Sequence, residues 1–218
     1  MIFVITAPSG AGKTTLINKL LELESRLMFS ISTTTRKMRE YEVDGINYHF
    51  ISKDDFRRMI DNNEFLEWAE VYGNYYGTTK NEIDRIEGEG KIPLFDVDIQ
   101  GSIELRKKIN DGIFIFIIPP SYDALKKRLI DRKTESPEQI DLRLKNVYKE
   151  LQSYQNFEYI IINDNIDEAY QQLSAIIAVN FKLKNEIDKV ADELFIMADK
   201  CKFENMKDNV DKILEGFK

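Results

Sequence analysis

Residues 7–15, Ala7-Pro8-Ser9-Gly10-Ala11-Gly12-Lys13-Thr14-Thr15, constrain this chain more than any other stretch. An apolar, β-branched run, Ile2–Thr6, precedes them, and Leu16, Ile17, Leu20 and Leu21 recur behind them at helical spacing. Strand, glycine-containing turn and helix, in that order, are the setting in which a loop binds phosphate. Gly10 and Gly12 let backbone N–H groups turn toward an anion with no Cβ in the way. The N-terminus of the following helix adds unsatisfied donors and the positive end of a dipole. Lys13 supplies a point charge for β- and γ-phosphate oxygens, and Thr14 a hydroxyl for Mg²⁺. Ala7 stands where the strict pattern G-x-x-x-x-G-K-[ST] has its first glycine, so its φ must be negative.

The rest of the chain continues the alternation that this unit begins. Ile92–Ile99, Ile113–Ile118 and Tyr159–Ile162 read as further buried parallel strands, with Phe29–Ser32 as a fifth. Amphipathic segments lie among them at Thr15–Glu24, Ser102–Ile109, Tyr122–Arg132, Pro137–Gln152 and Asp167–Leu183. The expected class is α/β: a three-layer α/β/α parallel sheet with right-handed crossovers and a ligand at the carboxyl ends of the strands. Two stretches interrupt the rhythm. Residues from about 33 to 80 are rich in Tyr, Arg, Glu and Gly and read as an inserted substrate-binding subdomain. Residues from about 121 to 151 read as a helical hairpin. After Lys184, Ile187, Val190, Leu194, Ala198 and Cys201 form one helical stripe, and Phe203, Met206, Val210, Ile213, Leu214 and Phe217 another. This predicts a helical C-terminal extension over 184–218, packed on the main domain or on a second subunit.

A formal charge of -7 argues against general binding to nucleic acid or to an anionic membrane. No stretch approaches a membrane span, and Ile2–Thr6 is too short for a signal core. The single cysteine, Cys201, excludes an internal disulfide and reads as a small buried apolar residue, so the expected compartment is the cytoplasm. His49 has no cysteine or histidine partner at ligand spacing, which speaks against zinc.

The run Ser30-Ile31-Ser32-Thr33-Thr34-Thr35-Arg36-Lys37-Met38-Arg39 and the run from Glu42 to Tyr48 resemble the guanylate kinase family. So do Phe65-Leu66-Glu67-Trp68-Ala69-Glu70, Gly73 to Thr78, Asp96-Val97-Asp98-Ile99-Gln100-Gly101, Pro119-Pro120-Ser121 and Asn163-Asp164. These motifs follow in family order across about residues 1–183. The resemblance implies Mg²⁺-dependent transfer of the ATP γ-phosphoryl group to GMP, and to dGMP, giving ADP and GDP in purine nucleotide metabolism. It implies that residues 7–15 hold the ATP phosphates, that Asn163 lies near the adenine, and that Thr14 holds Mg²⁺ with Asp96 acting through water. Arg36, Arg39, Tyr48 and Tyr76 match the cage for the GMP phosphate. Guanidinium forks suit that task because they donate in a planar, bidentate way and keep their charge.

Base choice follows from chemistry at the matching positions. Guanine offers N1–H and an amine on one edge, and a carboxylate accepts both, whereas adenine offers an acceptor at N1. Glu67 is the matching carboxylate, beside Trp68 read as a core aromatic, with Asp98 assisting; Ser32 and Thr78 match the hydroxyls that read the other side of the base. The hairpin at 121–151 matches the family's lid, with Arg128 and Arg132 on one helix face and Arg143 on the next helix. With Lys13 and Arg36 these arginines form the catalytic set, acting by position and electrostatics on a loose transition state. The chain is expected to be a monomer, or a homo-oligomer through the C-terminal helices. Two other readings stand beside this one. A kinase for another small molecule is opposed by the guanine-reading set. A non-enzymatic scaffold of the same fold is opposed by the intact phosphate loop and arginines.

Overall fold

The computed structural model describes residues 1–71, 73–131, 137–185 and 192–217. In chain order the elements are β1 (Ile2–Thr6), α1 (Lys13–Leu23), β2 (Leu27–Phe29), β3 (Thr33–Thr34), β4 (His49–Phe50), α2 (Lys53–Asp61), β5 (Phe65–Val71), β6 (Asn74–Thr79) and α3 (Lys80–Gly88). Then come β7 (Ile92–Asp96), α4 (Ile99–Lys108), β8 (Gly112–Ile118), α5 (Tyr122–Asp131), α6 (Pro137–Leu151), β9 (Tyr159–Ile162), α7 (Ile166–Asn185), α8 (Asp192–Lys200) and α9 (Phe203–Glu215). The central sheet has the order β2-β7-β1-β8-β9, and every pairing in it is parallel. Its strands are apolar on both faces because helices cover both. Phe3 and Ile5 face α1, α7 and α8; Ile2 and Val4 face α4, α5, α6 and α9.

The inserted stretch forms a second sheet of order β4-β3-β6-β5. Along β5 the burial alternates, as the pleat requires. Phe65, Glu67 and Ala69 point inward, while Trp68 is 41% exposed. The reading of Trp68 as a core aromatic is therefore wrong: the strand period assigns the inner face to Glu67 instead. Other boundaries also move. The run Ile92–Ile99 stays extended only to Asp96, because the Asp98 carboxylate accepts from the Gly101 N–H at 2.6 Å and caps α4. That cap also starts α4 ahead of the expected Ser102. The fifth strand lies at Leu27–Phe29 rather than Phe29–Ser32, in register with Ile92 to Leu94. The last turn of the Pro137–Gln152 helix tightens into a 3₁₀ segment, Gln152–Asn156.

The described part of the C-terminal stripes is spent on the core; Ile187 and Val190 lie outside the described residues. Ala198 and Cys201 join the first apolar cluster, and Val210 joins the second. Between them the chain crosses the outer edge of β9: Ile160 N–H donates to Cys201 O at 2.7 Å and Phe203 N–H to Glu158 O at 2.9 Å. An otherwise unpaired strand edge is thereby satisfied. Val210 is fully buried, so Val210→Ala is expected to cost about 2 kcal/mol in chemical denaturation. A midpoint equal to wild type would show that α9 adds nothing to the fold. Among the described residues no helix is long and apolar enough to cross a membrane.

Candidate functional site

The loop between β1 and α1 is shaped by two left-handed glycines, Gly10 at φ 91° and Gly12 at φ 94°. Among the described residues Asn63 alone combines a side chain with positive φ, so Ala7 has the ordinary backbone its methyl needs. A Cβ on Gly10 would meet Leu125 Cδ1 at 2.7 Å, and one on Gly12 would collide with the Asn163 amide. That amide donates to Ala11 O at 2.7 Å and is buried. Asn163 therefore braces the loop from beneath, a role that leaves its amide group committed to the backbone. The Lys13 ammonium pairs with the Asp96 carboxylate and donates to Val97 O at 3.2 Å. Thr14 and Thr15 are exposed at the start of α1.

Three cavities meet around this loop. One, of about 290 Å³, is lined by residues 7–10 and 12–14 with Arg143 and Glu150 from α6. Arg143 donates there to the Ser9 hydroxyl. A second, of about 650 Å³, lies on the far side of Gly10 and Gly12, between Arg128, Asp131 and Asn163. Arg128 donates to Asn163 O at 2.9 Å, and its Nη1 is buried with no hydrogen-bond partner among the described residues. Arg128 and Arg143 thus flank the loop from different sides. Arg132 lies outside the described residues.

The third cavity, about 200 Å³, opens between the two sheets. Lys13, Asp96 and Asp98 line it from the central sheet, and Ser32, Tyr48, Glu67 and Tyr76 from the inserted one. Glu67 is 4% exposed, and its pKa is pushed up to about 7, chiefly by burial and further by the Asp98 charge. The Thr78 hydroxyl donates to Glu67 Oε1 at 2.8 Å, which opposes that rise. Thr78 stands behind the carboxylate rather than in the cavity wall. Close packing of α4 on Glu67 depends on Gly101, where a Cβ would lie 2.8 Å from Glu67 Oε2.

At the other end of this cavity the Tyr48 and Tyr76 rings meet edge-on, with centroids 6.0 Å apart. Burial, followed by the Asp96 charge, pushes the Tyr48 hydroxyl up to about 12, so it stays a proton donor. Arg36 stacks over Tyr48 and is gripped by Glu42. Arg39 is not brought into the cage: it is exposed and donates to the Tyr41 hydroxyl at 2.8 Å.

Two carboxylates here were given no role by the sequence reading. Glu42 is buried between the Arg36 and Arg39 segments; it was quoted only as the start of the Glu42–Tyr48 run. Glu150 is half-buried, and its pKa is raised by burial and by Asp98. It lies seven residues, two helical turns, after Arg143, a spacing that puts both on one face. A third acid, Glu82, is buried in α3 and accepts from Ile31 N–H at 2.7 Å, fixing the strand beside Ser32.

Comparison with known proteins places this geometry. A family model described as guanylate kinase matches residues 1–180. A curated guanylate kinase of Clostridium perfringens (strain 13 / Type A) is 41% identical over 210 residues, spanning 96% of this chain and 88% of that one. Another, from Caldanaerobacter subterraneus subsp. tengcongensis, is 41% identical over 215 residues and spans 99% of this chain and 95% of its own. The crystal structure of guanylate kinase from Anaplasma phagocytophilum superposes with a TM-score of 0.67 at 30% identity, covering 82% of this chain and 85% of that one.

Proposed function

The chain belongs to the guanylate kinase family and is an ATP:GMP phosphotransferase, and from that premise we propose how its own residues divide the work. The observation that carries the proposal is the buried, high-pKa Glu67 in a cavity also lined by Tyr48 and Tyr76, with Arg36 stacked over the Tyr48 ring. GMP lies across this cavity. Glu67 accepts from guanine N1–H and the exocyclic amine, with Asp98 at the amine and Ser32 on the other side of the base. Thr78 holds Glu67 in register. Arg36 and the two tyrosines take the phosphate, and Arg39 joins them by swinging in from the surface.

ATP takes the loop. Backbone N–H groups of residues 7–15 wrap its phosphates. Arg143 approaches from the Ser9 side and Arg128 from the Asn163 side, and Arg132 completes the lid. Lys13 lines both the 290 Å³ loop cavity and the 200 Å³ base cavity, the position from which one ammonium can follow a phosphoryl group between them. The acceptor phosphate is already ionised near neutral pH, so positioning and charge stabilisation suffice.

The donors present near the loop suit Mg²⁺: the exposed Thr14 hydroxyl is a hard oxygen ligand, and the Asp96 carboxylate, paired with Lys13, acts through water. Among the described residues no cluster of three acidic, histidine or cysteine side chains competes as a metal site. Mg²⁺ there would neutralise phosphate charge, with water and phosphate oxygens filling its remaining positions. The reading divides the chain into a kinase domain over 1–183, with the GMP subdomain at about 33–80 and the lid at about 121–151, and an extension over 184–218. A cytoplasmic setting and acceptance of dGMP complete it; none of the assigned residues needs a 2′-hydroxyl. The test is a coupled ADP-release assay with ATP and Mg²⁺, offering GMP, dGMP, AMP, CMP and UMP in turn. Turnover confined to the guanine nucleotides is expected; equal turnover with AMP would overturn the base assignment.

A further inference from the structure

We propose that Glu42 is the positioning residue of the acceptor-phosphate cage: it grips Arg36 by one edge of the guanidinium and so presents the other edge to the phosphate. The proposal rests on the placement of the GMP phosphate argued above. A guanidinium carries five N–H groups in one fixed plane. Arg36 Nη1 donates to Glu42 Oε2 at 2.9 Å and to Lys37 O at 2.7 Å, and Nη2 donates to Glu42 Oε1 at 2.7 Å. Both hydrogens of Nη1 and one of Nη2 are thereby used. The two that remain, on Nε and Nη2, lie side by side on a single edge, and the Tyr76 hydroxyl is also within reach of this guanidinium. That pair has the spacing for bidentate donation to two oxygens of one phosphate.

Glu42 is itself held. Its Oε2 also accepts from the Arg39 N–H at 2.8 Å, and its side chain is 5% exposed. The Arg36 hydrogen bonds keep its carboxyl below the usual carboxylate range, so it remains charged. The guanidinium also lies against both the Tyr48 and Phe50 rings, at 5.4 and 5.6 Å from their centroids. A buried anion beside an anion site is a repulsive arrangement unless it does something for the cation between them. Here it removes the rotamer freedom of a long side chain before the ligand arrives.

The experiment measures calorimetric binding of GMP and of guanosine to wild type, Glu42→Gln and Arg36→Ala, with ATP binding as the report that each variant is folded. Wild type should prefer GMP to guanosine. Glu42→Gln should weaken GMP about tenfold or more while guanosine and ATP change less than about threefold. In the Arg36→Ala background it should cause no further loss. Equal weakening of GMP and guanosine would reduce Glu42 to a structural part and overturn the proposal. Tighter GMP binding would make it a competitor of the phosphate and overturn it equally. If Arg36→Ala keeps the preference for GMP, the cage assignment itself fails; if it loses the preference and Glu42→Gln does not, the role of Glu42 alone fails. Should Glu42→Gln not fold, Glu42→Asp keeps the charge, falls a methylene short of the fork and carries the same expectation.

Discussion

Glu67→Gln is expected to lower kcat/KM for GMP on the order of 10²–10³-fold and to leave ATP affinity within a factor of two or three. Glutamine keeps the shape but presents a donor where the guanine edge presents two. Each lost bond to a charged acceptor is worth about 1.5–3 kcal/mol, and a buried site built to pair polar edges rejects what leaves it unpaired. The pH profile carries a second mark. Burial sets the Glu67 pKa near 7, and on the proposed assignment it is the ionised form that binds guanine. On the acid side kcat/KM for GMP should therefore fall about tenfold per pH unit below about 7 and level off above. The GMP phosphate titrates near 6, and in Glu67→Gln only that lower limb should remain. A wild-type profile flat from pH 6 to 8 would show that Glu67 does not titrate near 7, and unchanged kcat/KM in Glu67→Gln would show that it is not the base reader.

The same burial has a cost in stability, and its sign is fixed by linkage. The folded protein holds the Glu67 proton up to about pH 7, whereas the unfolded chain releases it near 4.5. Between these values the folded state binds more protons, so stability falls as pH rises. Glu67→Gln should be no more stable than wild type at pH 4.5. At pH 8 it should gain on the order of 3 kcal/mol, seen as a raised thermal midpoint. A carboxylate that weakens the fold at working pH is retained for what it binds.

The parts of this site that were legible in the sequence are those in which local pattern decides structure. Gly10 and Gly12 announced a left-handed loop because few other residues adopt that backbone. The β1 and β8 runs announced a two-sided sheet because nothing polar interrupts them. Glu67 was placed by motif, yet its burial was hidden; Trp68 next to it looked like the core residue, and only the pleat of β5, set by pairing with β6 after a bulge near Phe65, decides which of two neighbours points inward. Arg39, Thr78 and Asn163 show the other limit. Their types suited direct ligand contact, and the sequence could not show that in this structure Arg39 lies on the surface, Thr78 stands behind Glu67 and the Asn163 amide donates to Ala11 O. Glu42 was read only as the start of a motif, because the fold of its loop decides which arginine it grips, and Glu150 went unread because Asp98 and Lys13 reach it from other elements.

Lys13→Met should abolish most turnover, lowering kcat by on the order of 10³-fold, while GMP still binds within a few-fold of wild type. Methionine matches the length of the lysine stem and removes only the charge. Lys13 is the one side chain of the loop that lines both the phosphate cavity and the base cavity. Its ammonium is held by the Asp96 carboxylate and Val97 O, which on the proposed assignment sets it between donor and acceptor. A preorganised cation at the point where charge develops is worth about 3–4 kcal/mol when removed. The loss should fall on kcat rather than on the KM for GMP, because the transferring group needs that charge most in the transition state. Stability should change little: Asp96 loses its partner but keeps access to solvent at 25% exposure, so no buried charge is stranded. A variant that kept a tenth of wild-type kcat would mean that the arginines of the lid carry the charge stabilisation alone. A variant that lost GMP binding in parallel would mean that Lys13 belongs to the acceptor site.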